Sequence, residues 1–262
     1  MLTISHISKT FNPGTVNEKT AIRDLSLHLD GGEFVTIIGA NGAGKSTLFN
    51  AICGSFYTDA GSIVLDGRDI TFLPEYRRAK EIGRLFQDPM RGSAPGMSIE
   101  ENLVLAAGNG GWMSTASRRE RQAFRDRLAL LDMGLEDRMK QPVGLLSGGQ
   151  RQALTLLMAT LQKPRLLLLD EHTAALDPAT AAKVLELSDR IVNENNLTAL
   201  MITHNMTDAI QHGNRLIMMN EGRIILDVSG EEKKLLTKQQ LVDKFAQLAG
   251  VQLDSDEVLL SK

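Results

Sequence analysis

Eight residues, Gly39-Ala40-Asn41-Gly42-Ala43-Gly44-Lys45-Ser46, fit the pattern G-x-x-x-x-G-K-[ST] and fix much of what the surrounding chain can become. A loop of this kind works only where a strand delivers it and a helix leaves it. Its small residues let consecutive backbone N–H groups converge on phosphate oxygens, with the positive end of the helix behind them. Both flanks are present: Phe34-Val35-Thr36-Ile37-Ile38 is a β-branched run ending at Gly39, and Lys45 to Ile52 continues at helical spacing until Gly54 can cap it. In that setting Lys45 would neutralise the β- and γ-phosphates of a triphosphate and the Ser46 hydroxyl would ligate Mg²⁺, with Gly39, Asn41, Gly42, Ala43, Gly44 and Thr47 completing the cradle.

The 262 residues have room for one large domain or a domain with an inserted lobe, and 42% hydrophobic residues supply a substantial core. A net charge of −3 and a pI near 6.0 argue against a general nucleic-acid binder, which needs a basic face to neutralise phosphates. Cys53 is the only cysteine, so neither an intramolecular disulfide nor a cysteine-based zinc site is possible, and a buried structural thiol is expected. Apolar runs such as Leu166-Leu167-Leu168-Leu169 are far short of a bilayer span, and Met1 to His6 lacks the pattern of a secretory signal. A membrane connection is therefore expected only through a partner.

Along the chain, residues 1–35 alternate apolar and polar at Leu2, Ile4, Ile7 and again at Ile22, Leu25, Leu27, Leu29, with a Pro13-Gly14 turn between, which predicts an antiparallel layer. Residues 61–70 read as a hairpin around Asp66-Gly67. From about 90 to 160 the texture is helical, broken at Gly108-Asn109-Gly110-Gly111 and Gln141-Pro142-Val143-Gly144; Ser117 and Glu120 form a capping box opening a helix with Phe124, Leu128 and Leu131 on one face. Leu166–Leu169 and Leu197–Thr203 are apolar runs of strand length separated by an Ala/Leu-rich helix, the texture of a buried parallel sheet. Residues 215–219 and 223–226 flank Asn220-Glu221-Gly222 as a closing hairpin. Last come one amphipathic helix carrying Leu241, Phe245 and Leu248, ending at Gly250, and a short acidic tail.

A second string, Leu146-Ser147-Gly148-Gly149-Gln150, narrows the class. Together with Leu166 to Glu171, Gln87, Asp177 and His204, standing in that order, it makes the chain resemble a nucleotide-binding subunit of the ATP-binding cassette (ABC) transporters over nearly its whole length. The resemblance implies an α/β fold: a P-loop NTPase core with a mainly parallel sheet, an antiparallel β layer and an inserted α-helical lobe, the ABC domain spanning 1–228 with the lobe at about 90–160, and 229–262 as C-terminal helix and tail.

The roles implied are specific. Asp170, at the carboxyl end of a buried strand where ligand sites of α/β sheets lie, would hold Mg²⁺, and Glu171 would polarise the attacking water as general base. Gln87 matches the glutamine that contacts Mg²⁺ or that water and links core to lobe; His204 matches the switch histidine on the γ-phosphate. Asp177 matches a loop that communicates across a dimer, while Phe11 resembles the platform that stacks on adenine or, equally, a core residue at a strand end. Ser147, Gly148, Gly149 and Gln150 would cap the γ-phosphate held by another protomer, so that two ATP glue a head-to-tail dimer together. Where the family usually has proline after the glutamate this chain has His172, read as a structural variant. His6, His28 and His212 read as surface or strand-edge residues, and Arg118, Arg119, Arg121, Arg125 and Arg127, interleaved with Glu120 and Asp126, as a solvated helix face.

Implied partners are a second copy or a paralogous ABC subunit, an integral permease and, indirectly, an extracytoplasmic binding protein, with no nucleic acid. The implied place is the cytoplasmic face of the membrane. The segment from Asp170 to Pro178 further resembles a subgroup related to the branched-chain amino-acid importers, which implies uptake of amino acids, aromatic ones among them. Tandem cassettes acting on ribosomes, or cassettes with long coiled coils acting on DNA, are the alternative; one cassette and no sustained heptads speak against both.

Overall fold

The computed structural model describes residues 1–108 and 116–249. Asn109, Gly110 and Gly111 of the anticipated break, Gly250 and the acidic tail lie outside them. Strands β1 (Leu2–Phe11) and β2 (Lys19–Leu29) pair antiparallel. After β3 (Phe34–Gly39) and helix α1 (Lys45–Cys53), the hairpin β4 (Ala60–Leu65) and β5 (Arg68–Asp69) joins them in the order β2-β1-β4-β5. The expected antiparallel layer and the hairpin turn are both present, and Asp66 and Gly67 each take positive φ, 48° and 74°, as a two-residue turn of this hand requires.

The chain continues through α2 (Glu75–Arg78) and β6 (Ile82–Leu85) into residues whose regular elements are all helical: α3 (Ile99–Ala106), α4 (Arg118–Ala129) and α5 (Gly148–Thr160). Capping boxes open all three, at Ser98/Glu101, Ser117/Glu120 and Ser147/Gln150, so each helix start satisfies its first N–H groups locally. The alternation of strand and helix then resumes with β7 (Leu166–Asp170), α6 (Pro178–Glu194), β8 (Thr198–Ile202) and α7 (Met206–Gln211). β9 (Arg215–Asn220) and β10 (Arg223–Ser229) form the closing hairpin, followed by α8 (Gly230–Lys234) and α9 (Lys238–Ala249). The large sheet runs β10-β9-β3-β8-β7-β6, parallel throughout except for the β10 edge.

The pleat divides the leucine run between two cores. Leu166 and Leu168 pack with α1 and the antiparallel layer, whereas Leu167 and Leu169 pack with the helices between β6 and β7. Every side chain of β7 is thus buried, which is why its sequence reads as a continuous apolar run rather than an alternating one. A third, smaller core gathers Met206, Leu216, Met218, Leu241 and Phe245. Leu248, placed on the same helical face by its spacing, is 47% exposed, so the apolar stripe of α9 is effectively Leu241 and Phe245. His212 departs from a surface reading as well: it is half-buried, and its ring nitrogen lies 2.5 Å from Asp189.

Burial of Cys53 raises its thiol pKa to about 11, and only 6% of the residue is exposed. At pH 8 the thiolate fraction is then on the order of one in a thousand. Ellman's reagent is expected to leave the native chain essentially unlabelled at pH 8 and to titrate one thiol after unfolding; rapid native labelling would contradict this burial.

Candidate active site

The phosphate loop sits where the pattern demands, between β3 and α1. Gly44 is the N-cap of α1 at φ 101°, and a Cβ there would come within 2.5 Å of the Ala21 carbonyl, so glycine is required both by the backbone conformation and by the strand beside it. No side chain caps this helix, in contrast to α3, α4 and α5; the first-turn N–H groups of residues 45–47 are left for an anion. The turn of the closing hairpin braces the loop from behind, Gly222 N–H donating to Ala43 O at 2.9 Å. Lys45 is buried, with Nζ donating to Gly39 O at 2.6 Å and Ala40 O at 3.1 Å. Desolvation pulls its pKa below the usual lysine value, and the neighbouring Glu171 and Asp170 carboxylates oppose that shift.

A cavity of about 280 Å³ brings together Phe11, Asn41, Gly42, Ala43, Gly44, Lys45, Ser46, Thr47 and Glu171. Phe11 stands half-buried at its rim, edge-on to Phe56 with ring centroids 5.3 Å apart and with Lys9 Nζ 5.7 Å from its ring centre. Glu171 has φ 47°, a strained value for a glutamate, held by its N–H donating to Ile202 O and by Ala174 N–H donating to its own carbonyl. Its Oε1 lies 2.6 Å from His204 Nε2, and that hydrogen bond keeps the carboxyl below the ordinary glutamate range, hence anionic at neutral pH. His204 stands two residues beyond the end of β8, so adjacent parallel strands deliver the acid and the imidazole to one end of the sheet.

Asp170, at the end of β7, accepts from Arg84 Nη2 through Oδ2 at 2.8 Å. The Ser46 hydroxyl and the Asp170 carboxylate are hard oxygen donors of the kind Mg²⁺ takes together with phosphates and water. Among the described residues no cluster of three His, Cys, Asp or Glu offers a competing metal centre. The donor set therefore suits Mg²⁺ arriving with a nucleotide.

Other anticipated residues stand apart from this cavity. Gln87 is exposed in the bend after β6. Ser147 is the N-cap of α5 and its hydroxyl accepts from Gln150 N–H at 3.3 Å, while Ser147 N–H donates to Gln150 Oε1 at 3.2 Å. Gly149 lies so close to α6 that an added Cβ would sit 2.0 Å from Thr180 Cγ2. Asp177 is exposed and caps α6 through Thr180 N–H. His172 is 2% exposed and meets Ser188 Oγ at 3.0 Å. Since Ser188 spends its own proton on Val184 O, His172 Nε2 is the donor; burial and His212 lower its pKa to about 4, so it acts as a neutral peg between the loop and α6.

Of the five clustered arginines, Arg121 reaches Glu100 with two bonds of 2.8 and 2.9 Å and Arg125 pairs with Asp137, and all five are exposed, as a solvated face should be. Two arginines escaped the sequence reading. Arg78, 2% exposed, donates to Ala51 O and Ile52 O at the carboxyl end of α1, and Arg84 holds Asp170; a cation inside an otherwise apolar segment was the available signal for the second.

A family profile described as ABC transporter matches residues 22–174. A tyrosine transport ATP-binding protein of Clostridioides difficile is 44% identical over 247 residues, covering 94% of this chain and 98% of the relative. A thiamine import ATP-binding protein of Salmonella paratyphi A is 38% identical, covering 82% of this chain and 87% of the relative. Among solved structures, a cassette from Clostridium perfringens described as part of an ABC transporter complex aligns at TM-score 0.77 with 25% identity, over 94% of each chain. A dimeric cassette in a post-hydrolysis state with ADP and phosphate aligns at 0.75 with 26% identity, over 87% of this chain and 98% of that one.

Proposed function

Because the chain belongs to the ABC transporter ATP-binding family, and is thus an ATPase coupled to transport, we propose that it powers a bacterial importer of amino acids, aromatic ones foremost, through a separately encoded permease. The observation that carries this reading is the phosphate loop sharing one cavity with Glu171, whose carboxylate is bonded to His204, in a chain 44% identical along almost its full length to a tyrosine transport subunit. Fold likeness alone would leave the substrate open; it is the relative's transport role that points to amino acids.

The residues divide the work. Lys45 and the first-turn N–H groups of α1 hold the β- and γ-phosphates, and Phe11 stacks on adenine. Ser46 and Asp170 would hold Mg²⁺, which supplies neutralisation of phosphate charge when bound, and Gln87, exposed outside the cavity in this structure, would have to swing in to join them. Glu171 accepts a proton from the attacking water, and His204 fixes the direction of the carboxylate. Ser147, Gly148, Gly149 and Gln150, outside this cavity, serve the site of a second subunit in a head-to-tail dimer, with Asp177 at the junction. The surface offered to the permease is the segment from Gln87 to Ile99. It borders a groove of about 550 Å³ whose far wall includes Leu105, Ala106 and Met158. Among the described residues no helix is long and apolar enough to cross a membrane, so docking at the cytoplasmic face would run through the permease. Residues 1–228 form the catalytic domain in this scheme, and 229–262 an appendage.

The test is affinity co-purification of the tagged chain from membranes of its native host, with co-eluting proteins identified by mass spectrometry. An integral permease together with an extracytoplasmic binding protein is expected. Ribosomes or DNA-repair proteins in their place would overturn the transport reading and leave only the ATPase chemistry.

A further inference from the structure

Arg84 occupies a position that none of the roles above accounts for. In the parallel register it stands level with Leu168 on the neighbouring strand, and Asp170 lies two residues further along the same face. From there its guanidinium spans two elements, donating through Nη2 to Asp170 Oδ2 and through Nη1 to Asn50 Oδ1 of α1, each at 2.8 Å. Only 13% of either partner's side chain in the Arg84–Asp170 pair is exposed. The same guanidinium lies 4.8 Å from the centre of the Phe86 ring, which also carries Arg91 at 5.1 Å. Arg84, Phe86 and Arg91 all line the groove of about 550 Å³. One planar group therefore touches the carboxylate at the ATP site on one side and the wall of the groove on the other.

We propose that Arg84 is a positioning residue: by gripping Oδ2 it turns Oδ1 of Asp170 toward the metal position, and by its contact with the Phe86 ring it makes that orientation sensitive to what fills the groove. The inference rests on the reading of Asp170 as a Mg²⁺ residue. Fork geometry matters to it, because a point charge cannot bridge Asp170 and Asn50 while also resting against an aromatic ring. Outer partners of this kind typically tune metal affinity by roughly 10- to 100-fold.

The full-length chain is assayed as wild type, Arg84→Met, Arg84→Lys and Phe86→Leu, measuring fluorescent ATP-analogue binding in EDTA and the Mg²⁺ concentration that half-saturates binding. Arg84→Met is expected to bind the analogue in EDTA within about twofold of wild type while needing roughly tenfold more Mg²⁺. Arg84→Lys should fall between the two, and Phe86→Leu should shift the Mg²⁺ requirement in the same direction by less. An unchanged Mg²⁺ requirement in Arg84→Met overturns the proposal in favour of a purely structural bridge; a lowered one overturns it in favour of competition between arginine and metal. If Arg84→Met does not fold, Arg84→Lys and Phe86→Leu decide alone, and wild-type behaviour in both rejects the idea. Should the wild type itself bind the analogue without any Mg²⁺ dependence, it is the assignment of Asp170 that falls.

Discussion

Glu171→Gln is expected to lower ATP turnover by about two to four orders of magnitude while leaving ATP binding intact, the span that loss of a general base ordinarily produces. The glutamine side chain has nearly the same shape, so the cavity is preserved, but it cannot take a proton from water. The carboxylate it replaces is held anionic by its 2.6 Å bond to His204, and the strained backbone at φ 47° fixes where it points. Removing a negative charge beside a triphosphate also favours binding, so affinity should hold or rise slightly. Without hydrolysis the ATP-bound form accumulates, and light scattering at saturating ATP should report a dimer. Turnover within about fivefold of wild type would remove Glu171 from the role of base. A monomer at saturating ATP would count against closure of two subunits around nucleotide.

Lys45→Ala should act a step earlier, on binding. The buried Lys45 ammonium carries three N–H donors and gives two of them to the Gly39 and Ala40 carbonyls, so a phosphate oxygen can take the third in a charge-assisted bond. Charge-assisted hydrogen bonds contribute about 1.5–3 kcal/mol, so affinity should fall by roughly 10- to 150-fold. Thermal shift offers a direct reading. At a ligand concentration about a hundredfold over Kd, binding stabilises a fold by about 2.7 kcal/mol, and a hundredfold weaker variant keeps only about 0.4 kcal/mol of that. Full ATP-induced stabilisation in Lys45→Ala would mean that the phosphate loop has been misassigned.

The fold was legible wherever periodicity and punctuation coincide: the alternation in β1 and β2, the Asp66-Gly67 turn, the leucine run of β7 and the capping box at Ser117 all report local physics. The places of candidate site residues adjacent to such landmarks were legible too, since Lys45 and Ser46 begin a helix and Asp170 ends a strand. What stayed hidden depends on contacts across the fold. Nothing local says that Arg84 grips a carboxylate on the next strand, that Arg78 caps α1 from α2, or that His212 is drawn into a half-buried pairing with Asp189. Nor does helical spacing say where a neighbouring surface stops, which is why Leu248 is half exposed although it shares a face with Phe245.

The packing at Gly149 bears on how defective versions of this protein are to be interpreted. Its contact with Thr180 belongs to one molecule and exists before any second subunit or nucleotide arrives. An inherited or engineered replacement there would push α5 away from α6 inside the single chain, and the resulting loss of activity would say nothing about communication between subunits. Ser147 is a cleaner probe, because its hydroxyl bonds within the cap to Gln150 N–H rather than across to α6, and a change there leaves the α5–α6 seam closed. Within one short loop, one residue is constrained by the chain's own architecture and another is free to answer to a partner.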